Sequence, residues 1–431
     1  MSTSPLSPLL SLVVLLSPAL ALAADWPQWR GPERDGVSKE TGLLKKWPAG
    51  GPPLEWSLAD IGAGYTAPAV AGGKLFITGA DAKADRLYCL TAATGNRVWE
   101  IELGPRFTNG WGDGPRATPT VDAAAGKVYA VGGAGRLVCA DIADGKVLWQ
   151  TELKKELRGE LASAWSDWGY SEGVLIDGDR LVASVGGSEG AVVAFDKATG
   201  KVIWRSKDFP RPVGYCSIMP VEAGGVRQYV AVGAKGEVAG LAAADGRLLW
   251  EHQNPRCRGI FVYCTTPVVK GDSVYVTCGY RIGCDLLKIT ADGKAFKAEP
   301  AYANTDMINH HGGVVLVDGK LFGYCDGRGW TCQDFATGKV LWRERDAAGK
   351  GAIAAADGRL YLVPERGGDV VLIEATGEGW RECGRFRLPT LSKNRSPSGG
   401  IWTHPVIADG RLYLRDQEHL FCFDVREKSA A

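Results

Sequence analysis

Ala194–Trp204, AFDKATGKVIW, sets apolar residues at both ends around a polar middle of turn formers. The pattern predicts the end of one strand, a tight turn and a second strand. Val192, Ala194 and Val202 suit a pleated surface. Asp196 and Thr199 are placed to hydrogen-bond the turn backbone, and Gly200 can take a positive φ without a Cβ clash. Trp204 closes the unit with a large apolar ring that needs burial.

The same pattern recurs along the chain. It reads CADIADGKVLW up to Trp149 and CQDFATGKVLW up to Trp342, with looser copies ending at Trp99 and Trp250. The interval from Trp250 to Trp342, 92 residues, is twice the preceding one of 46, so a copy is expected between them. KITADGKAF at 288–296 fills that place, with Phe296 at the position of the tryptophan. Periods of this length mark propellers and other repeat arrays.

Eight related stretches open the units, at 65–70, 116–121, 171–176, 216–221, 264–269, 310–315, 350–355 and 402–407. Most run into a Gly or Asp-Gly turn and a second strand, the pattern of a hairpin. Four antiparallel strands per unit follow. In full copies the tryptophan lies eight residues after the aspartate, as in Asp141 and Trp149. The last copy starts at Asp424, which puts its tryptophan one residue past the chain end. The spare strand PLEWSL at 53–58, with Trp56, is therefore expected to complete unit eight and close the ring. Unit seven is irregular, with RECGRFRL as its fourth strand. The prediction is an all-β, eight-bladed propeller over 54–431, preceded by an irregular leader at 24–53 whose tryptophans (Trp26, Trp29, Trp47) pack onto the body.

Composition fits this picture. The 58 glycines and 15 tryptophans among 431 residues are the turn and packing residues of repeated units. A net charge of +1 supplies no field for nucleic acid or an anionic membrane. Residues 1–23 resemble a signal peptide, with an apolar core at Leu9–Leu16 and Ala21-Leu22-Ala23 before Ala24, although no Lys or Arg precedes the core. The apolar run is too short for a membrane span. With no Cys after it, a lipid anchor is not expected. A periplasmic or secreted monomer is the expectation.

Eleven cysteines in an exported chain raise the question of disulfides. Cys89, Cys139, Cys332 and Cys422 take the first position of the repeat, where a small buried core residue is expected. Cys278 and Cys284 flank a short loop and could bridge a hairpin, with Cys257 and Cys264 nearby. No C-x-x-C occurs, which weakens metal, haem and thioredoxin-like readings.

The A-x-D-x-x-T-G-x-x-x-W unit resembles the tryptophan-docking repeat of PQQ-type eight-bladed propellers, a group that holds both quinoprotein alcohol dehydrogenases and the non-enzymatic assembly factor BamB. With the leader DWPQWRGPERDGVS, WSDWGYSEGVLI and the run from Asn309 to Trp342, the chain resembles PQQ-binding-like β-propeller proteins of planctomycete-type bacteria. It departs from the dehydrogenases in lacking a Cys-Cys pair and long insertions, and from BamB in lacking an N-terminal anchoring Cys.

The resemblance implies that residues just before each opening strand line one mouth of a central channel. Those stretches carry Trp111, Arg116, Trp165, Trp168, Tyr170, Glu172, Arg211, Tyr215, Arg256, Arg258, Asp306, Asn309, His310, His311, Trp402 and His404. Of the adjacent His310 and His311, strand geometry would send at most one into the channel. A metal site would need one of that pair, His404 and an acid such as Asp306 or Glu172. A quinone site would use Trp165, Trp168 or Trp330 as a platform and Glu172, Asn309 and Asp306 as oxygen ligands for calcium. Binding alone needs less: aromatic and Arg residues around a mouth are the types enriched at protein and carbohydrate contacts. The sequence therefore predicts an exported, non-catalytic binding or scaffold propeller of the cell envelope with a protein or carbohydrate ligand. The alternative is a PQQ- or metal-dependent oxidoreductase.

Overall fold

A computed structural model describes residues 25–162, 167–259 and 263–428. The expected signal peptide lies outside them, as does Trp165. No helix occurs among the described residues, and so none is long and apolar enough to cross a membrane.

Eight sheets, each built on four antiparallel strands, form an eight-bladed propeller, and the sheet of blade seven gains a fifth, parallel strand, Val37–Ser38. Blades one to six follow in chain order over 69–105, 120–152, 175–205, 219–253, 268–304 and 314–344; blade seven spans 351–387. Blade eight takes three strands from 406–424 and its outermost from Leu54–Leu58. Trp56 there pairs with Cys422, as the spacing required. Buried Arg415 reinforces the junction by donating to Thr66 Oγ1 and Thr78 O of blade one. Closure leaves neither the first nor the last blade with an unpacked face.

The repeat tryptophans join neighbouring blades. Trp149 Nε1 donates to Lys197 O of blade three, and the ring lies on Gly200, where it leaves no room for a Cβ and where φ is +71°. Trp56, Trp99, Trp204 and Trp342 make equivalent bonds to Ala92, Ile142, Ala243 and Thr376. Cys89, Cys139, Cys332 and Cys422 sit directly opposite these rings across the strand pair. All four are buried.

Three positions depart from the repeat. In blade five the docking ring is Tyr302, not Phe296: Tyr302 pairs with Leu286 and donates its hydroxyl to Phe335 O. The hairpin Gly283–Asp292 to Ala295–Asn304 is longer than in the other blades, which moves the docking position outward along the second strand. Trp250 turns into its own blade and donates to Gln228 Oε1 at 2.7 Å. In blade seven Gly384 stands at the docking position, and Trp47 of the leader packs over it.

Apart from that of blade seven, the opening strands are shorter than predicted. That of blade one is Ala69–Ala71 rather than 65–70, and that of blade three is Leu175–Asp177. Near the axis the preceding residues bond sideways to other segments, as when Tyr65 N–H donates to Pro115 O. The eleven cysteines are thiols. Cys278 faces Gly283 and Cys284 faces Thr277, so the expected hairpin bridge is not formed.

Candidate functional site

The leader does more than pack onto the outside. Trp26 exchanges backbone hydrogen bonds with Val70 of blade one, and Pro27 O accepts from Val121 of blade two. Arg34, 1% exposed, donates to Gly173 O and Val174 O where blade three opens. Trp29 Nε1 donates to Thr266 Oγ1 beside blade five, Arg30 to Val314 O of blade six, and Val37–Ser38 pairs in parallel with blade seven. Burial lowers the Arg30 and Arg34 guanidinium pKa values to about 10, which leaves both charged at neutral pH. The segment thus ties the inner ends of the blades together and floors the channel.

Above that floor lies a cavity of about 390 Å³. Trp29 and His404 meet at its base edge to face, 4.7 Å between centroids. Tyr65, Trp111, Trp168, Tyr215, Tyr280 and Trp402 supply further aromatic wall. Tyr65 and Trp402 lie 5.2 Å apart and Trp168 packs edge-on against Tyr215. The Arg116 guanidinium sits over the Tyr65 and Phe107 rings at 5.1 and 5.3 Å and donates to Gly112 O and Gly114 O.

Both His310 and His311 line the cavity, which corrects the expectation that only one could. They precede the strand that starts at Val314, so the two-residue alternation does not apply to them. His310 is held at both nitrogens. Lys350 Nζ donates to Nδ1 at 3.1 Å, which leaves Nε2–H to donate to Tyr280 Oη at 2.8 Å. Desolvation, with the charges of His311 and Lys350, lowers its pKa to about 3. His311 Nε2 lies 3.1 Å from Glu365 Oε2, which also accepts from Trp402 Nε1 at 3.0 Å. Glu365 is lowered to about 2: burial opposes its ionisation, and the hydrogen bond from His311 leads the interactions that favour it. His404 donates Nε2–H to His311 O at 3.1 Å, and its buried Nδ1 has no hydrogen-bond partner. Desolvation first, then Arg30, lowers His404 to about 3.

Seven of the twelve residues picked from the sequence as binding candidates line this cavity: Trp111, Arg116, Trp168, His310, His311, Trp402 and His404. Tyr215, also noted in the sequence, joins them. Trp165 lies outside the described residues. The other four lie elsewhere. Tyr170 is a core residue, its hydroxyl on Val185 O. Glu172 lines a separate small cavity with Ser184, and burial raises its carboxyl pKa well above the usual range despite the field of Arg34. Arg256 pairs with Asp285. Asn309 is a buried clamp that accepts from Thr265 and Gly313 and donates to Tyr324 O. Several site residues escaped the sequence reading. Tyr65, Tyr280, Lys350 and Glu365 come from loops without the dense aromatic signature, and the role of Trp29 as floor needed the path of the leader.

The expected metal ligands do not converge. His310, His311 and His404 reach the site, but neither expected acid does: Asp306 pairs with Arg328 and Arg343, and Glu172 lies in the other cavity. Among the described residues no group of three or more His, Cys, Asp or Glu could hold a metal ion. The donors expected around a quinone and calcium do not fit either. Both ends of the Asn309 amide are engaged; of the expected ring platforms, Trp168 lines the cavity and Trp330 is buried between blades with its Nε1 on Gly349 O.

Residues 83–321 match the family model described as outer membrane protein assembly factor BamB. A BamB of Burkholderia pseudomallei is 22% identical over 369 residues, covering 84% of each chain. The crystal structure of BamB from Moraxella catarrhalis superposes with a TM-score of 0.60 at 14% identity, covering 86% of this chain and 99% of that one. The quinohemoprotein alcohol dehydrogenase ADHIIG of Pseudomonas putida HK5 gives 0.63 at 12% identity, covering 94% and 81%. At these identities the structural likenesses speak for the fold, and both a scaffold and an enzyme share it.

Proposed function

This chain belongs to the family described as outer membrane protein assembly factor BamB, and from that premise we propose that it is an exported, non-catalytic binding or scaffold propeller of the cell envelope. The observation that supports this reading is the mouth itself. It is concave, walled by aromatic rings and closed below by the leader. Such a surface suits the capture of a ligand or a partner's side chain. The polar groups around it are largely committed to one another, as in the His311–Glu365–Trp402 and Lys350–His310–Tyr280 chains. Groups held this way orient the walls.

Incubating the purified protein with PQQ and Ca²⁺, then assaying dye-linked oxidation of alcohols and sugars, tests the reading. The expected result is neither a retained quinone absorbance nor dye reduction. Tight quinone retention with turnover would replace the scaffold by the oxidoreductase alternative. Fractionation of cells expressing the full chain checks the envelope location, and a cytoplasmic pool alone would contradict it.

A further inference from the structure

We propose that a second cavity, beside the mouth at blade seven, binds a small basic amino acid, a molecule with one carboxylate and two ammonium groups. Arg366 takes the carboxylate, and Asp346 and Glu365 take the ammonium groups. This site lies outside the mouth and does not depend on the mouth binding anything.

The cavity holds about 270 Å³. One wall is the connection that enters blade seven, Asp346 to Lys350. The other is the turn between Pro364 and Asp369, and Val371 and Arg385 of the outer strands complete it. The entering connection is fixed from behind at three carbonyls. Ala347 O accepts from Arg385 Nη2 at 2.8 Å, Gly349 O from Trp330 Nε1 at 3.1 Å and Lys350 O from the Glu365 N–H at 2.7 Å. Buried Ala348, Pro364 and Val371 line the recess with apolar surface. Walls held this way lose little freedom when a ligand enters.

Six charged residues line the cavity, and three of them are matched from outside it. Lys350 Nζ lies 2.9 Å from Asp326, Arg385 donates to both oxygens of Glu382, and Asp369 lies 3.5 Å from Arg387. Asp346, Glu365 and Arg366 are left. Neither exposed Asp346 nor exposed Arg366 has a charged partner among the described residues. Glu365 accepts from His311 and Trp402 at Oε2, which leaves Oε1 open. Both donors are neutral, since burial lowers His311 below its ordinary range. The field of Lys350 reaches Glu365, but that ammonium is already shared by Asp326 and His310. Two anions and one cation therefore face the recess, and two ammonium groups with one carboxylate are the complementary set. A diamine would leave Arg366 unanswered, and a dicarboxylate would face Asp346 and Glu365. The methylene stem of a basic amino acid can lie along Ala348 and Pro364. The volume, just under the usual small-molecule range of about 300 Å³ and above, suits a ligand of this size.

Isothermal titration calorimetry of the purified protein at low salt, where screening is weak, tests the site. The probes are L-lysine, cadaverine, L-norleucine and L-glutamate. Lysine is expected to bind about three- to fivefold tighter than cadaverine, which lacks the carboxylate, the value of an exposed ion pair. Norleucine, without the side-chain ammonium, should lose at least as much, and glutamate should give no heat of binding. Arg366→Gln should bring lysine down to the level of cadaverine and leave cadaverine unchanged. Asp346→Asn should weaken both alike. Both side chains are exposed, so thermal melts of the two variants should match the parent. Trp111→Ala, in the mouth, should leave lysine binding unchanged. No heat with lysine, norleucine equal to lysine, or a lysine affinity that survives both Arg366→Gln and Asp346→Asn overturns the inference. A loss confined to Trp111→Ala would put the lysine in the mouth and overturn it as well.

Discussion

Trp56 lies opposite Cys422 across the strand pair that closes the ring, and its indole donates to Ala92 O of blade one. One side chain from the start of the propeller thus holds the last blade and the first. The half-buried ring also covers Gly95 of blade one. Trp56→Ala is expected to cost about 2–3 kcal/mol, below the range for a fully buried tryptophan. Exposed Trp111, at 43%, serves as control and should change stability by no more than about 0.5 kcal/mol when truncated. Urea denaturation of both variants measures the difference.

The docking turns predict a contrast between two glycines. Gly178 and Gly200 both have positive φ, but only at Gly200 would a Cβ meet a neighbour, 2.6 Å from the Trp149 ring. Gly178→Ala should cost about 1–2 kcal/mol from backbone strain alone. Gly200→Ala should add about 1–3 kcal/mol as the ring is pushed away. Equal losses in a denaturant titration would refute the docking contact.

The buried histidines give stability a defined pH dependence. His310 and His404 have folded-state pKa values lowered to about 3, from 6.5 in an unfolded chain. As pH falls below about 6.5 the unfolded state takes up protons that the folded state refuses, so stability drops. Each histidine contributes a slope of up to about 1.4 kcal/mol per pH unit. Between pH 6.5 and 5 most carboxylates remain ionised, so this window reports the histidines. Glu365, held down to about 2, contributes stability that is present above its unfolded pKa and is lost only toward that lower value. Denaturation midpoints across the window should fall with pH in the parent protein and less steeply in His404→Gln.

Thiol chemistry tests the cysteine assignment. Ten of the eleven cysteines are buried, and Cys264 is partly exposed in the mouth cavity. Ellman's reagent should label no more than this thiol in the native protein and all eleven after unfolding without reductant. Recovery of fewer than eleven would show that disulfides form.

Ring closure was legible before any coordinates, because the strand PLEWSL, with Trp56, stands ahead of the first unit and belongs to none of the others. The mouth was legible in part. Trp111, Trp168, Trp402 and the histidines stand in loops with an unusual density of rings. The failures share a cause: Tyr170 and Asn309 sit in the same stretches, yet one enters the core and the other clamps a turn. Residue type and position in a loop do not say which way an irregular backbone turns its side chains. Phe296 failed for a related reason, since counting along the chain cannot detect a hairpin that has grown longer.

The sequence by itself determined the eight-fold repeat, the four-stranded blade and the strand that closes the ring. Those features follow from local periodicity and spacing, which strand pairing reads directly. Only the tertiary structure decided that the leader floors the channel, that Trp47 replaces a missing docking ring, and that Arg116 faces the cavity. Each depends on contacts between residues far apart in the chain, whose geometry is set by how the blades converge on the axis.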